Sequence, residues 1–301
     1  MWHAGGVERR CDGPGPPQKG AACLLAQFVS VSGDAPGKVR SLSTAAAFVD
    51  RVGLALVFGK GGVVLPSLYE AVAGPGPVMW AEEREDGKLA FTPELSMIWA
   101  WKDELAEARL ACAGKHIRGW PSLVSLALLP ALYALTGRAG LPSDFRDAVL
   151  PPLEREVAEA VLATGPADAR DIRRLTDRRD TAAVNRAIDS LQRQLVLTRA
   201  GTVERDRSWP ATVYDVLPRR YPLPELPAPD RARADLAAVL LRSAGRLTAA
   251  DLSRALGFPR RDAGRVLEGL VAEGRARLGQ ESGLPVWTSR ARSAACAPPP
   301  A

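Results

Sequence analysis

The feature that most constrains this chain is a pattern that occurs twice, about 80 residues apart. Asp168, Asp171-Ile172 and Arg174 recur as Thr248, Asp251-Leu252 and Arg254, and Arg186 recurs as Arg265 at a spacing of 79. A period of this length marks a repeated supersecondary unit. In the C-terminal copy, Leu236, Val239 and Leu240 predict a first helix that breaks at Gly245. Thr248 supplies an N-cap oxygen for a short helix over 249–256, with Leu252, Ala255 and Leu256 on one face. Gly257 ends that helix, and a third follows Pro259 with Val266, Leu267, Leu270 and Val271 as its buried stripe. Strand-like pieces at 275–278 and 285–288 flank a turn-rich stretch. Upstream, Leu153, Val157, Val161 and Leu162 open the same series and Gly165 breaks it. A helix over 181–194 then carries Val184, Ile188 and Leu191 inward. Residues 195–198 and 211–214 are expected to form a wing, with Ala200-Gly201 in its turn. The fold class expected is mainly α with short β wings: tandem winged helix-turn-helix repeats.

The order along the chain follows from this. Residues 1–38 lack periodicity and are expected to be a disordered extension. Residues 39–142 form a helical N-terminal domain, with helices predicted over 45–57, 67–73, 93–105 and 122–135. The winged helices occupy 143–221 and 230–290, joined by a stiff linker at 222–229 that contains Pro222, Pro224, Pro227 and Pro229. Residues 291–301 read as a frayed tail. Gly59-Lys60-Gly61-Gly62 lacks the full phosphate-loop pattern and reads as a turn. Lone His116 reads as a structural or surface residue rather than a ligand.

Composition narrows the function classes. Cys11, Cys23, Cys112 and Cys296 are scattered, there is no C-x-x-C, and only two histidines are present, which points away from a zinc site or disulfide framework and toward the cytoplasm. No metal or cofactor is expected. The apolar run 123–135 is interrupted by Pro130 and falls short of the roughly 20 residues that span a bilayer, so no membrane role is indicated. Residues 13–17 separate Arg9 and Arg10 from the apolar run 21–31, so an export signal is not expected either. The net charge of +6 is unevenly placed: residues 1–150 carry 15 basic and 15 acidic side chains, whereas 151–301 carry 25 and 19. All 25 of those cations are arginine, although lysine occurs upstream at Lys60, Lys88, Lys102 and Lys115. Guanidinium forks suit phosphates and guanine edges, so the expected partner is duplex DNA.

In a helix-turn-helix the third helix presents its solvent face to the major groove. The candidate DNA-binding residues are Arg260, Arg261 and Arg265 in the C-terminal repeat. In the upstream repeat they are Asn185, Arg186 and Arg193, preceded by Arg178 and Arg179, with Arg205 and Arg207 in the wing. Acidic Glu268 and Asp189 share these faces. Arg265 with Glu268, or Asp189 with Arg193, also fits intrahelical ion pairing on a protein-interaction scaffold.

The chain also resembles the AlkZ-like (YcaQ-like) winged-helix DNA glycosylases over about residues 40–290. The resemblance is carried by Arg51-Val52-Gly53, Trp99-Ala100-Trp101, the serial winged helices and the run 213–219. It implies several winged-helix units around a basic groove for duplex DNA, including a further, divergent unit within 40–150. The family's signature is Gln, an aliphatic residue, then Gln or Asp, shortly after the Arg-x-Gly; it positions the water that attacks the sugar. Here Leu56-Val57-Phe58 occupy those positions, and none can do so. Gln192-Arg193-Gln194 reads as helix surface. The expectation is a non-catalytic or divergent relative that binds DNA, with an active glycosylase using an acid such as Asp50 or Asp103 as the alternative.

Overall fold

The computed structural model describes residues 39–84, 87–205, 209–223 and 225–290; the predicted extension, the tail and Arg207 lie outside the described residues. Ser41 and Thr44 cap one another reciprocally and start α1 (Leu42–Val52), whose Ala45, Phe48, Val49 and Val52 point inward. Gly53, at φ 74°, stops the helix. Residues expected to continue it instead form β1 (Leu54–Leu56). After α2 (Leu68–Ala73) comes a hairpin of β2 (Glu82–Glu83) and β3 (Leu89–Ala90). Then follow α3 (Pro93–Glu107), β4 (Cys112–Ile117) and β5 (Trp120–Val124). The antiparallel order is β1-β5-β4. The apolar run predicted as one helix over 122–135 is thus divided. Its start pairs with β1, and only α4 (Leu129–Ala134) is helical, with Pro130 in its first turn. A continuous apolar run has no period to separate a buried strand from a buried helix.

The upstream repeat consists of α5 (Pro152–Thr164), β6 (Ala167–Asp168), α6 (Ala169–Leu175), α7 (Thr181–Arg193), β7 (Leu197–Val203) and β8 (Ala211–Val216). Ala200 and Gly201, expected in the wing turn, lie within β7 at a bulge, so the wing is longer than predicted. A short α8 (Leu217–Arg220) follows. The C-terminal repeat consists of α9 (Pro229–Ala244), β9 (Arg246–Leu247), α10 (Ala249–Leu256), α11 (Arg260–Ala272), β10 (Ala276–Glu281) and β11 (Leu284–Ser289). The two sheets share one order, β6-β8-β7 and β9-β11-β10. Asp168 and Thr248 cap α6 and α10 as their spacing predicts.

The same succession runs a third time through residues 42–124, and one detail ties the three copies together. Each third helix exits through a residue in the left-handed region: Arg109 (φ 55°), Leu195 (φ 57°) and Gly274 (φ 71°). Each exit closes with the same long backbone bond: Leu110 N–H to Leu105 O at 2.9 Å, Val196 to Leu191 at 2.9 Å, and Arg275 to Leu270 at 2.8 Å. This is the Schellman closure, which turns the chain back into the wing. The protein is therefore mixed helix and small antiparallel sheet, with more sheet than a mainly helical reading allowed.

The N-terminal unit sits between the two repeats. Its β1, β4 and β5 contribute Leu54, Leu56, Cys112 and Val124 to a core shared with Leu236, Leu240, Leu267 and Trp287 of the C-terminal repeat. The free edge of β4 meets the upstream repeat through His116, which is buried. Nδ1 of His116 lies 2.9 Å from the Gln192 carbonyl, which can only accept, so that nitrogen carries the proton; Nε2 faces the Thr198 hydroxyl at 3.2 Å. Burial pushes the imidazole down to about 4, with the Gln192 bond opposing. Tyr221 and Leu223, at the start of the proline-rich run, are buried in the shared core, so that run begins as packed chain.

Candidate nucleic-acid interface

Several arginines are spent inside the fold. Three guanidiniums satisfy carbonyls at the ends of helices, where backbone acceptors lack partners. Arg138 donates to Gln194 O at the end of α7, Arg219 to Val161 O (2.8 Å) and Leu162 O (2.7 Å) of α5, and Arg220 to Ala106 O and Glu107 O (both 2.7 Å) of α3. Arg205, expected to reach DNA from the wing, is drawn inward instead. Its Nε donates to Asp168 at 2.8 Å and its Nη2 to Asp171 at 2.5 Å, which fastens the wing to the start of α6. Burial opposes ionisation of Asp168, yet bonds from the Asp171 N–H and from Arg205 hold its carboxyl below the usual carboxylate range.

The remaining candidates divide by availability. On α7, Asn185 and Arg186 are exposed in the first half of the helix, opposite Val184, Ala187 and Ile188. In the second half the β4–β5 hairpin covers Gln192 and partly Asp189, while Arg193 stays exposed. Asp189 pairs with Lys115 at 2.6 Å, not with Arg193, and the Arg193 stem lies against Gly119. Gln192, expected on the helix surface, is 1% exposed and receives the Lys115 N–H at 3.2 Å. Arg178 grips Glu156 through Nε (3.0 Å) and Nη2 (2.7 Å), while Arg179 is exposed without an ion pair among the described residues. On α11, Arg265 pairs with Asp262 rather than Glu268. Arg260 and Arg261 stand exposed at the start of that helix, without ion pairs among the described residues.

Sequence reasoning missed Arg118. It occupies the tight β4–β5 turn with Gly119, both at positive φ. Its guanidinium packs beside Gly257, in the turn before α11, while Gly119 meets Arg193 of α7. The hairpin tip therefore bridges α7 and the turn before α11, a placement that only the tertiary arrangement of three units produces.

The positions of the glycosylase signature carry no polar side chain. Leu56 and Val57 are buried, at 1% and 3% exposure, and Phe58 packs against Tyr69 and Trp80 at ring-centroid distances of 6.4 and 5.1 Å. Of the alternative acids, Asp50 is exposed on α1, and Asp103 is held between Lys102 and Arg199 (2.7 Å). Glu70 approaches Gly59, beside the signature positions, and accepts from the Ser67 hydroxyl at 2.9 Å. Among the described residues no helix is long and apolar enough to cross a membrane.

Comparison with known proteins places these observations. No curated protein matches the sequence significantly. Among solved structures, the DNA glycosylase AlkZ of Streptomyces sahachiroi matches with a TM-score of 0.51 at 12% identity, over 88% of this chain and 67% of that one. At that identity the likeness is one of fold. The DIP2311 protein of Corynebacterium diphtheriae matches over 66% of this chain and 39% of that one at 18% identity, with a TM-score of only 0.21. The profile of the AlkZ-related family matches residues 39–256. With more than half of the sequence covered, the chain belongs to the AlkZ-related family.

Proposed function

We propose that this protein binds duplex DNA as a non-catalytic or divergent member of its family, without a metal or cofactor. The observation that carries the reading is the set of exposed cations and amides left after the internal ion pairs are subtracted. Asn185 and Arg186 lie on α7, Arg260 and Arg261 on α11, and Arg118 on the hairpin between them. Arginine forks onto guanine edges and phosphates, and asparagine onto adenine, so this set suits a duplex better than a protein surface. The apolar residues at the signature positions support the absence of the family's base-excision chemistry, because none of the three side chains there can hold an attacking water.

Two measurements test the proposal. Duplex binding by the full chain should weaken steeply with salt, and Arg260→Gln with Arg261→Gln should weaken it further; a flat salt response would favour a scaffold role. Incubation with alkylated duplex, followed by cleavage at abasic sites, should yield no strand breaks above background. Breaks that depend on the protein would establish an active glycosylase and end the non-catalytic reading.

A further inference from the structure

We infer that the hollow formed by α6 of the upstream repeat and the turn that leads from it into α7 is a seat for the phosphodiester backbone, a site that rests on the duplex-binding reading and extends it. Arg170, Arg173 and Arg174 of α6 and Arg178 and Arg179 of the following turn surround an open concavity of about 390 Å³, with Asp177 the one carboxylate in its wall. Three of the five forks are held in place. Arg173 donates to Thr181 Oγ1 at 2.6 Å, Arg174 pairs with Asp171 at 3.0 Å, and Arg178 pairs with Glu156. Arg170 and Arg179 are exposed and have no ion pair among the described residues.

The fold itself does not call for this grouping. Arg173 and Arg174 stand in the last turn of α6, where cations offset the partial negative charge of the helix end. The same argument disfavours Arg170 in the first turn and says nothing for Arg178 and Arg179 beyond the helix. Against Asp171, Glu156 and Asp177 the five cations keep an excess of two, carried by the unpaired Arg170 and Arg179, which raises the local potential and favours an anion there. A phosphodiester exposes two non-bridging oxygens, enough for about two guanidinium forks, so Arg170 and Arg179, with the donors left over on the three held forks, match successive phosphates rather than an isolated one. The hollow adjoins the open half of α7, so a strand seated there would run past Asn185 and Arg186.

The test uses the full chain, a fluorescein-labelled duplex of about 20 base pairs and salt from about 50 to about 300 mM. The double variant Arg170→Gln/Arg179→Gln should bind about ten-fold more weakly and lower the log–log salt slope by about 2. Both side chains are exposed, so a melting curve matching that of the unaltered protein should accompany this loss. Arg231→Gln/Arg233→Gln on α9, with the same change in net charge, should stay within about two-fold. Unchanged affinity and slope in the first variant, or an equal loss in the second, would overturn the site while leaving duplex binding intact. Calorimetry with sodium tripolyphosphate separates the sources of phosphate. Binding of tripolyphosphate that the first variant abolishes, in a protein that ignores duplex altogether, would overturn the backbone assignment and make a soluble polyphosphate the ligand.

Discussion

Gly53→Ala is the sharpest test of how the N-terminal unit and the C-terminal repeat fit together. Gly53 ends α1 at φ 74°, and a Cβ there would stand 2.5 Å from Val239 Cγ1 on α9 and 3.1 Å from Leu128 Cδ2. The left-handed backbone costs an L-residue about 1–2 kcal/mol. Overpacking a filled core adds about 1–3 kcal/mol, so the substitution should cost about 2–5 kcal/mol in all. Urea melts followed by tryptophan fluorescence measure this cost. Removing Cγ1 in a Val239→Ala background leaves Val239 Cβ at 3.8 Å, so the steric part should largely vanish there. The double-mutant cycle should therefore show a favourable coupling of about 1–3 kcal/mol. An equal cost of Gly53→Ala in both backgrounds would refute the contact with α9. A cost below about 0.5 kcal/mol would refute the backbone argument as well.

Three further outcomes are expected. The imidazole of His116 is held down to about 4 against 6.5 in the unfolded chain. The unfolded state therefore takes up the proton first; this contribution is complete above pH 6.5 and is lost as pH falls toward 4, by about 3 kcal/mol. Urea midpoints at neutral and mildly acidic pH report it, and His116→Gln should flatten the difference. Asp168→Ala removes the cap of α6 and the acceptor of Arg205; the cap alone is worth about 1 kcal/mol, and an unshifted melting temperature would contradict that role. Arg109→Gly relieves an exposed left-handed residue at the exit of α3 and should stabilise the protein by about 1 kcal/mol, read as a rise in melting temperature.

The two repeats were legible in the sequence because their signals are local. A cap, an apolar stripe and a glycine stop act within about four helical turns, and Thr248, Leu252, Gly257 and Leu267 stand where those rules put them. The N-terminal unit was legible only through family resemblance. Its second and third helices are separated by the β2–β3 hairpin, and its β5 lies in an apolar run without a period.

The candidate site divides along the same line. Exposure of Asn185, Arg186, Arg260 and Arg261 follows from helical periodicity, so sequence alone determined it. The partners of Arg178, Arg205, Arg219 and Arg220 did not follow, nor did the covering of Asp189 and Gln192 by β4. Their partners lie on other elements, Arg178 finding Glu156 and Arg220 finding Ala106 far along the chain. Coulomb attraction and burial act through space, and a guanidinium becomes a helix cap, a wing fastener or a free cation according to what packing brings beside it. The sequence determined which helices form and which faces they bury; only tertiary packing decided which cations stay exposed and which are spent on internal partners.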